Sequence, residues 1–143
     1  MNASLKNAGR WIAIADRDLA AAVMLVENAP DIAAFHLQQA TEKYLKAFLT
    51  LHGQALRKSH DVSALLLRCI ALDGSFASLA SVGDPSEMTA FATKYRYPNE
   101  EEHEFPASDE IASAQSLSVQ TQVVVEDKFA DLCACCPGPT TDG

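Results

Sequence analysis

The sequence predicts an all-α fold, an antiparallel four- to five-helix bundle, on three observations. Apolar residues recur at three- and four-residue spacing through most of the chain. Caps, prolines and glycines punctuate those stretches at short intervals. No two segments pair as strands: the run Val119-Gln-Thr-Gln-Val-Val-Val125 has strand propensity, but nothing else offers it a partner, so it is read as helix.

The first helix is expected over residues 8–27. Trp11, Ala15, Leu19, Ala22, Val23 and Val26 share one face, and Asp16, Arg17 and Asp18 decorate the other. Asn28-Ala-Pro30 breaks it, because proline cannot continue a helix interior. The second helix runs from Asp31 to Gly53. Leu37, Ala40, Tyr44, Phe48 and Leu51 make one stripe; Phe35, Leu45 and Leu49 make another. A helix apolar on two sides has neighbours on two sides, so this is the expected centre of the bundle. Gly53 suits a left-handed C-cap.

Ser59 is the expected N-cap of a third helix that runs to Leu72, with Asp61 adding negative charge to its first turn. Val62, Leu65, Leu66 and Ile70 are its apolar side. Residues 75–83 are weakly patterned and read as a helical turn or two. Asp84-Pro85-Ser86-Glu87 starts a fourth helix: aspartate caps, proline takes the first position, and glutamate completes a capping box. Met88, Phe91, Ala92 and Tyr95 follow at helical spacing, and Pro98 closes the segment. Asn99 to Ala107 reads as a loop. Ser108 is the expected cap of a last helix reaching Leu132. Residues 1–132 are thus read as one helical domain, and residues 133–143 as a frayed Cys/Pro/Gly tail.

At 143 residues the chain has room for one core. No apolar run approaches the roughly 20 residues of a membrane helix, and the N-terminus lacks the pattern of a signal peptide. A cytoplasmic protein without membrane attachment is expected. The net charge of −8 is uneven: residues 1–72 hold 8 Lys+Arg against 6 Asp+Glu, and residues 73–143 hold 3 against 13. Such a chain is no general polyanion binder, so any RNA contact must use a local basic patch in the first half. Cys69, Cys133, Cys135 and Cys136 are expected as free thiols. The C-x-C-C cluster lacks a nearby histidine or second cysteine pair, and the glutamates of the 99–107 loop lack a scaffold. No metal and no cofactor are therefore expected.

Among polar residues, Gln39, Glu42, Lys43 and Lys46 interrupt the two apolar stripes of the second helix, with Gln38 and His36 beside them. Gln38–Glu42, Gln39–Lys43 and Glu42–Lys46 stand at i,i+4 spacing. They are candidate binding residues, lining a polar groove for a nucleotide phosphate or a partner protein. The competing reading is an ordinary Glu42–Lys46 surface pair, worth about 0.2–0.5 kcal/mol. His60-Asp61 reads first as a helix start, with His60 packed near it, ahead of a catalytic pair.

Four stretches together resemble the HEPN family of small helical domains. They are Trp11 with Ala15-Asp16-Arg17-Asp18-Leu19, Phe35-His-Leu-Gln-Gln-Ala-Thr-Glu-Lys-Tyr-Leu-Lys46, Lys58-Ser-His-Asp-Val62 and Tyr95-Arg-Tyr-Pro98. The resemblance spans residues 8–130. It implies the antiparallel bundle, a homodimer, and partnership with a minimal nucleotidyltransferase, as in toxin–antitoxin pairs. Many HEPN proteins are metal-independent ribonucleases with an arginine, four to six residues, then a histidine. Here that pair is Arg96 and His103, separated by six residues. The resemblance implies an RNA-cleaving toxin in which His103 takes the ribose 2′-hydroxyl proton and Arg96 stabilises charge on the phosphate. Two such motifs meet at the family's dimer interface. The alternative is a non-catalytic nucleotide- or partner-binding module serving a nucleotidyltransferase. Tyr97-Pro98, Phe105 two residues after His103, and Glu100, Glu101, Glu102 and Glu104 favour it. Four carboxylates oppose an approaching phosphate and raise the histidine's pKa.

Overall fold

Caps set the order of elements in the computed structural model, which describes residues 2–95 and 105–135. Helix α1 spans Ala3–Leu25, α2 Pro30–Leu51, α3 Val62–Leu72, α4 Pro85–Ala90 and α5 Ser108–Cys135, with a 3₁₀ segment over Gly74–Ser81. Among the described residues there is no strand, and no helix is long and apolar enough to cross a membrane. The all-α bundle is the expected fold, and the 119–125 run is helical.

Helix α1 begins five residues before the expected start, because the Asn2 side chain accepts from the Leu5 amide at 2.8 Å and caps it. Its packed stripe is Leu5, Ala8, Ile12, Ala15, Leu19 and Ala22, while Val23, expected on that face, is exposed. Ala8, Ala15 and Ala22 are completely buried at seven-residue spacing, as are Ala33, Ala40 and Ala47 in α2. Small residues at this period let two helix axes approach closely. The two helices run antiparallel: Trp11 meets Lys46, whereas Asp18 meets His36 and Lys43.

Helix α2 is the centre, packed against α1, α3, α4 and α5. Leu37, Tyr44, Leu45, Phe48 and Leu49 are buried in the common core with Phe76, Leu79, Met88 and Leu117. It ends in a Schellman motif: Gly53 N bonds Thr50 O at 3.1 Å, Gln54 N bonds Leu49 O at 3.0 Å, and Gly53 takes φ 66°. Where α5 crosses α2, the Thr41 and Ser118 hydroxyls lie 2.6 Å apart and each stands 2.9 Å from Leu37 O, so one donates to that carbonyl and the other to its hydroxyl neighbour. Two buried hydroxyls thereby satisfy each other and fix the register of the crossing.

Two expected caps are corrected. Asp61, not Ser59, caps α3, accepting from Ala64 N at 3.1 Å, while Ser59 Oγ accepts from Asp61 N. Asp84 caps α4 as expected, but Glu87 faces Glu110 and the helix ends at Ala90. Bonds from Phe91, Ala92 and Thr93 to carbonyls three residues back tighten the chain into turns. Ser108 is already helical; Ala107 O accepts the first bond of α5 from Ile111 N. That helix continues three residues past Leu132, to Cys135. The expected stop at Pro98, most of the 99–107 loop and the tail beyond Cys135 lie outside the described residues.

Candidate functional site

Two polar regions bear on function: a buried network on α2, and the flanks of the segment carrying Arg96 and His103. The network centres on Glu42, whose side chain is 3% exposed. Its carboxylate accepts from Lys46 Nζ at 2.6 Å, Gln38 Nε2 at 2.9 Å and His60 Nδ1 at 3.0 Å, with Gln39 Nε2 at 3.4 Å. Burial pushes the Glu42 pKa up, but bonds from Lys46, His60 and Gln38 and the Lys46 charge outweigh it and hold the carboxyl below its usual value. Gln38 also donates to the His60 carbonyl at 3.1 Å and Gln39 to Gln38 Oε1 at 2.7 Å. The α2–α3 loop is thereby fastened to the middle of α2.

The four candidate binding residues are divided between two clusters. Gln39, Glu42 and Lys46 belong to the network around Glu42. Lys43 belongs to another, donating to Asp18 Oδ2 at 2.5 Å beside a 2.9 Å contact from His36 Nδ1 to Asp18 Oδ1. Of the expected i,i+4 contacts, Glu42–Lys46 and Gln38–Glu42 form, while Lys43 turns to α1. Both lysines therefore already hold carboxylate partners.

Asp16 and Asp18, read from sequence as outward decoration of α1, face α2 and α5. Asp16 accepts from Tyr44 Oη at 2.5 Å and from Gln122 Nε2 at 3.0 Å. Burial first, then Asp16, raises the Tyr44 phenol above its ordinary range. The signal for these two residues lay in the quoted Ala15–Leu19 stretch, but a one-helix pattern does not say which polar residues face a second helix. His60 was likewise missed as a partner of Glu42. Its imidazole is not packed but 71% exposed at the side chain, and it is held through Nδ1.

Arg96 and His103 lie outside the described residues; the chain on either side of them does not. Glu110 stands at the third position of α5 and reaches back to Ala107 N at 3.3 Å, as a capping-box glutamate does. The same Oε2 accepts from Tyr95 Oη at 3.1 Å. One carboxylate oxygen thus clasps the residue before Arg96 and the backbone four residues after His103. Tyr95 is 3% exposed and its ring stacks obliquely on Phe91, 5.5 Å between centroids. Glu87 is drawn to the same place, and burial followed by Glu110 raises its pKa. Elsewhere, burial pushes the Cys69 thiol up to about 12, which leaves it unreactive.

Among the described residues, no group of three or more histidine, cysteine, aspartate or glutamate side chains converges as a metal site. No buried side-chain nitrogen or oxygen among them lacks a hydrogen bond. The HEPN domain family model matches residues 8–125, well over half of the chain. No curated protein matches the sequence.

Proposed function

Because the chain belongs to the HEPN family, we propose that it is a metal-independent endoribonuclease, with Arg96 and His103 as its catalytic pair. The supporting observation is the Glu110 clasp, which ties Tyr95 and Ala107 to one oxygen. Both ends of the segment bearing the pair are anchored to the bundle, as a positioned general base requires. His103 takes the proton from a ribose 2′-hydroxyl. The 2′-oxygen attacks the adjacent phosphorus, the bond to the 5′-oxygen breaks, and Arg96 neutralises charge on the phosphate. The leaving 5′-oxygen is protonated, giving a 2′,3′-cyclic phosphate and a 5′-hydroxyl.

In this reading the protein acts in the cytoplasm as a homodimer, as the toxin restrained by a minimal nucleotidyltransferase. A second reading has its own support. Four glutamates stand beside His103 in sequence, and carboxylates repel phosphate. They favour a non-cleaving module that binds a nucleotide or the transferase through Gln39, Glu42, Lys43 and Lys46. Incubation of pure protein with RNA in EDTA separates the two. Cleavage by the wild type, lost in Arg96→Ala and in His103→Ala, is the expected result. No cleavage, or cleavage indifferent to both substitutions, defeats the ribonuclease reading.

A further inference from the structure

Residues 2–15 and 46–60 meet at one end of the bundle, where the N-terminal half of α1 lies beside the end of α2 and the loop after it. These stretches contain Lys6, Arg10, Lys46, Arg57 and Lys58 and neither aspartate nor glutamate, in a chain of net charge −8. Between them lies a pocket of about 410 Å³, lined by Asn7, Arg10, Trp11, Ile14, Thr50 and Leu56. Trp11 is half-buried and packed against the core, with Lys46 Nζ 5.6 Å from its ring centre. Lys46 is itself held by Glu42, so the indole is a braced platform. Arg57, the residue after Leu56, lines a second cleft with Arg68. Arg68 is occupied by the Ala55 carbonyl at 2.8 Å. Among the described residues no ion pair engages Arg10, Arg57 or Lys58.

We propose that this end of the bundle docks single-stranded RNA, with one base against Trp11 and flanking phosphates on Arg10 and Arg57. The inference rests on the RNA reading above and extends it, assigning a place where the strand is held apart from Arg96 and His103. Single-stranded nucleic acid is gripped by aromatic faces set in a basic groove. Both parts are present here, on two stretches that carry five cations, and the neighbouring Glu42 carboxylate is already taken up by Lys46 and His60. Stacking is indifferent to base identity, so the site holds strands of any sequence. An acidic peptide would feel the same charge but has no flat ring to match the indole.

Trp11 is the single tryptophan, so its fluorescence reports on this pocket alone. The full chain is titrated with a short single-stranded RNA, 2′-O-methylated throughout to prevent cleavage and labelled at one end. Tryptophan quenching and label anisotropy are read together. The two signals should saturate together. Trp11→Leu should weaken binding about tenfold. Arg10→Ala and Arg57→Ala should each weaken it and lower the slope of log K against log salt by about 0.7. Helical circular dichroism checks each variant, and the arginine variants carry the test if Trp11→Leu fails to fold. Anisotropy without quenching, unchanged affinity in the arginine variants, no binding, or equal quenching by polyglutamate would each overturn the proposal. Cleavage in EDTA is scored separately. Arg96-dependent cleavage with a silent tryptophan places docking elsewhere and leaves the ribonuclease reading intact. Saturable quenching without cleavage leaves the docking site intact and removes the enzyme.

Discussion

Replacing Glu42 by leucine should be among the most damaging single changes in this bundle. The Glu42 and Lys46 side chains are 3% and 10% exposed and meet at 2.6 Å. Removing the carboxylate leaves the Lys46 ammonium buried without its counter-charge and strips Gln38 and His60 of their acceptor. Breaking one side of a buried pair costs about 3–5 kcal/mol. For a chain of this size that is a fall in melting temperature of about 10 °C or more. The double variant Glu42→Leu/Lys46→Met should return to within about 1 kcal/mol of the wild type, because it removes both desolvation penalties. Urea unfolding followed by circular dichroism measures all three proteins. The pH dependence has a definite sign. The folded Glu42 carboxyl lies below its ordinary value, so its contribution is present above the ordinary carboxyl range and fades as pH falls through the folded pKa. The stability gap between wild type and Glu42→Gln should therefore narrow from about pH 7 to about pH 3. A loss below about 1 kcal/mol in Glu42→Leu, or a gap independent of pH, would refute this account of the network.

Three further outcomes follow from contacts elsewhere. Gly83→Ala sets a Cβ 3.0 Å from the Ser113 carbonyl oxygen and 3.1 Å from Leu117 Cβ; the helix backbone yields little, so urea unfolding should show a loss of about 1–3 kcal/mol. Glu110→Ala removes the acceptor of both Tyr95 and Ala107; RNA cleavage should fall about tenfold or more while helicity stays near that of the wild type. Glu87→Gln should raise the melting temperature at neutral pH. Burial and Glu110 raise the Glu87 pKa, so its charged form is a penalty present above the folded pKa, and the gain should vanish at acid pH below the ordinary carboxyl range.

Much of the helical frame was legible because its signals are local. Asp84-Pro85 and Gly53 mark helix ends through chemistry confined to one turn, and both act as expected. The two stripes of α2 announced a central helix, since apolar spacing within one element reports how many sides are covered. The missed caps fell where two candidates stood within a few residues, as at Ser59 and Asp61, and backbone geometry chose between them. Partnerships between elements were not legible. Glu42 reaches His60 and Asp18 reaches Lys43 across gaps of 18 and 25 residues, and helical periodicity carries no information about which polar faces meet. The Glu110 clasp was hidden for the same reason: its position reads as an acidic first turn, while its second partner, Tyr95, belongs to the segment after α4.

The most direct test of the central claim is the end chemistry of the RNA product formed in EDTA. Attack by the 2′-oxygen predicts a 2′,3′-cyclic phosphate on one fragment and a 5′-hydroxyl on the other, with neither fragment formed by Arg96→Ala or His103→Ala. A 3′-hydroxyl with a 5′-phosphate, or products that persist in both variants, would contradict it.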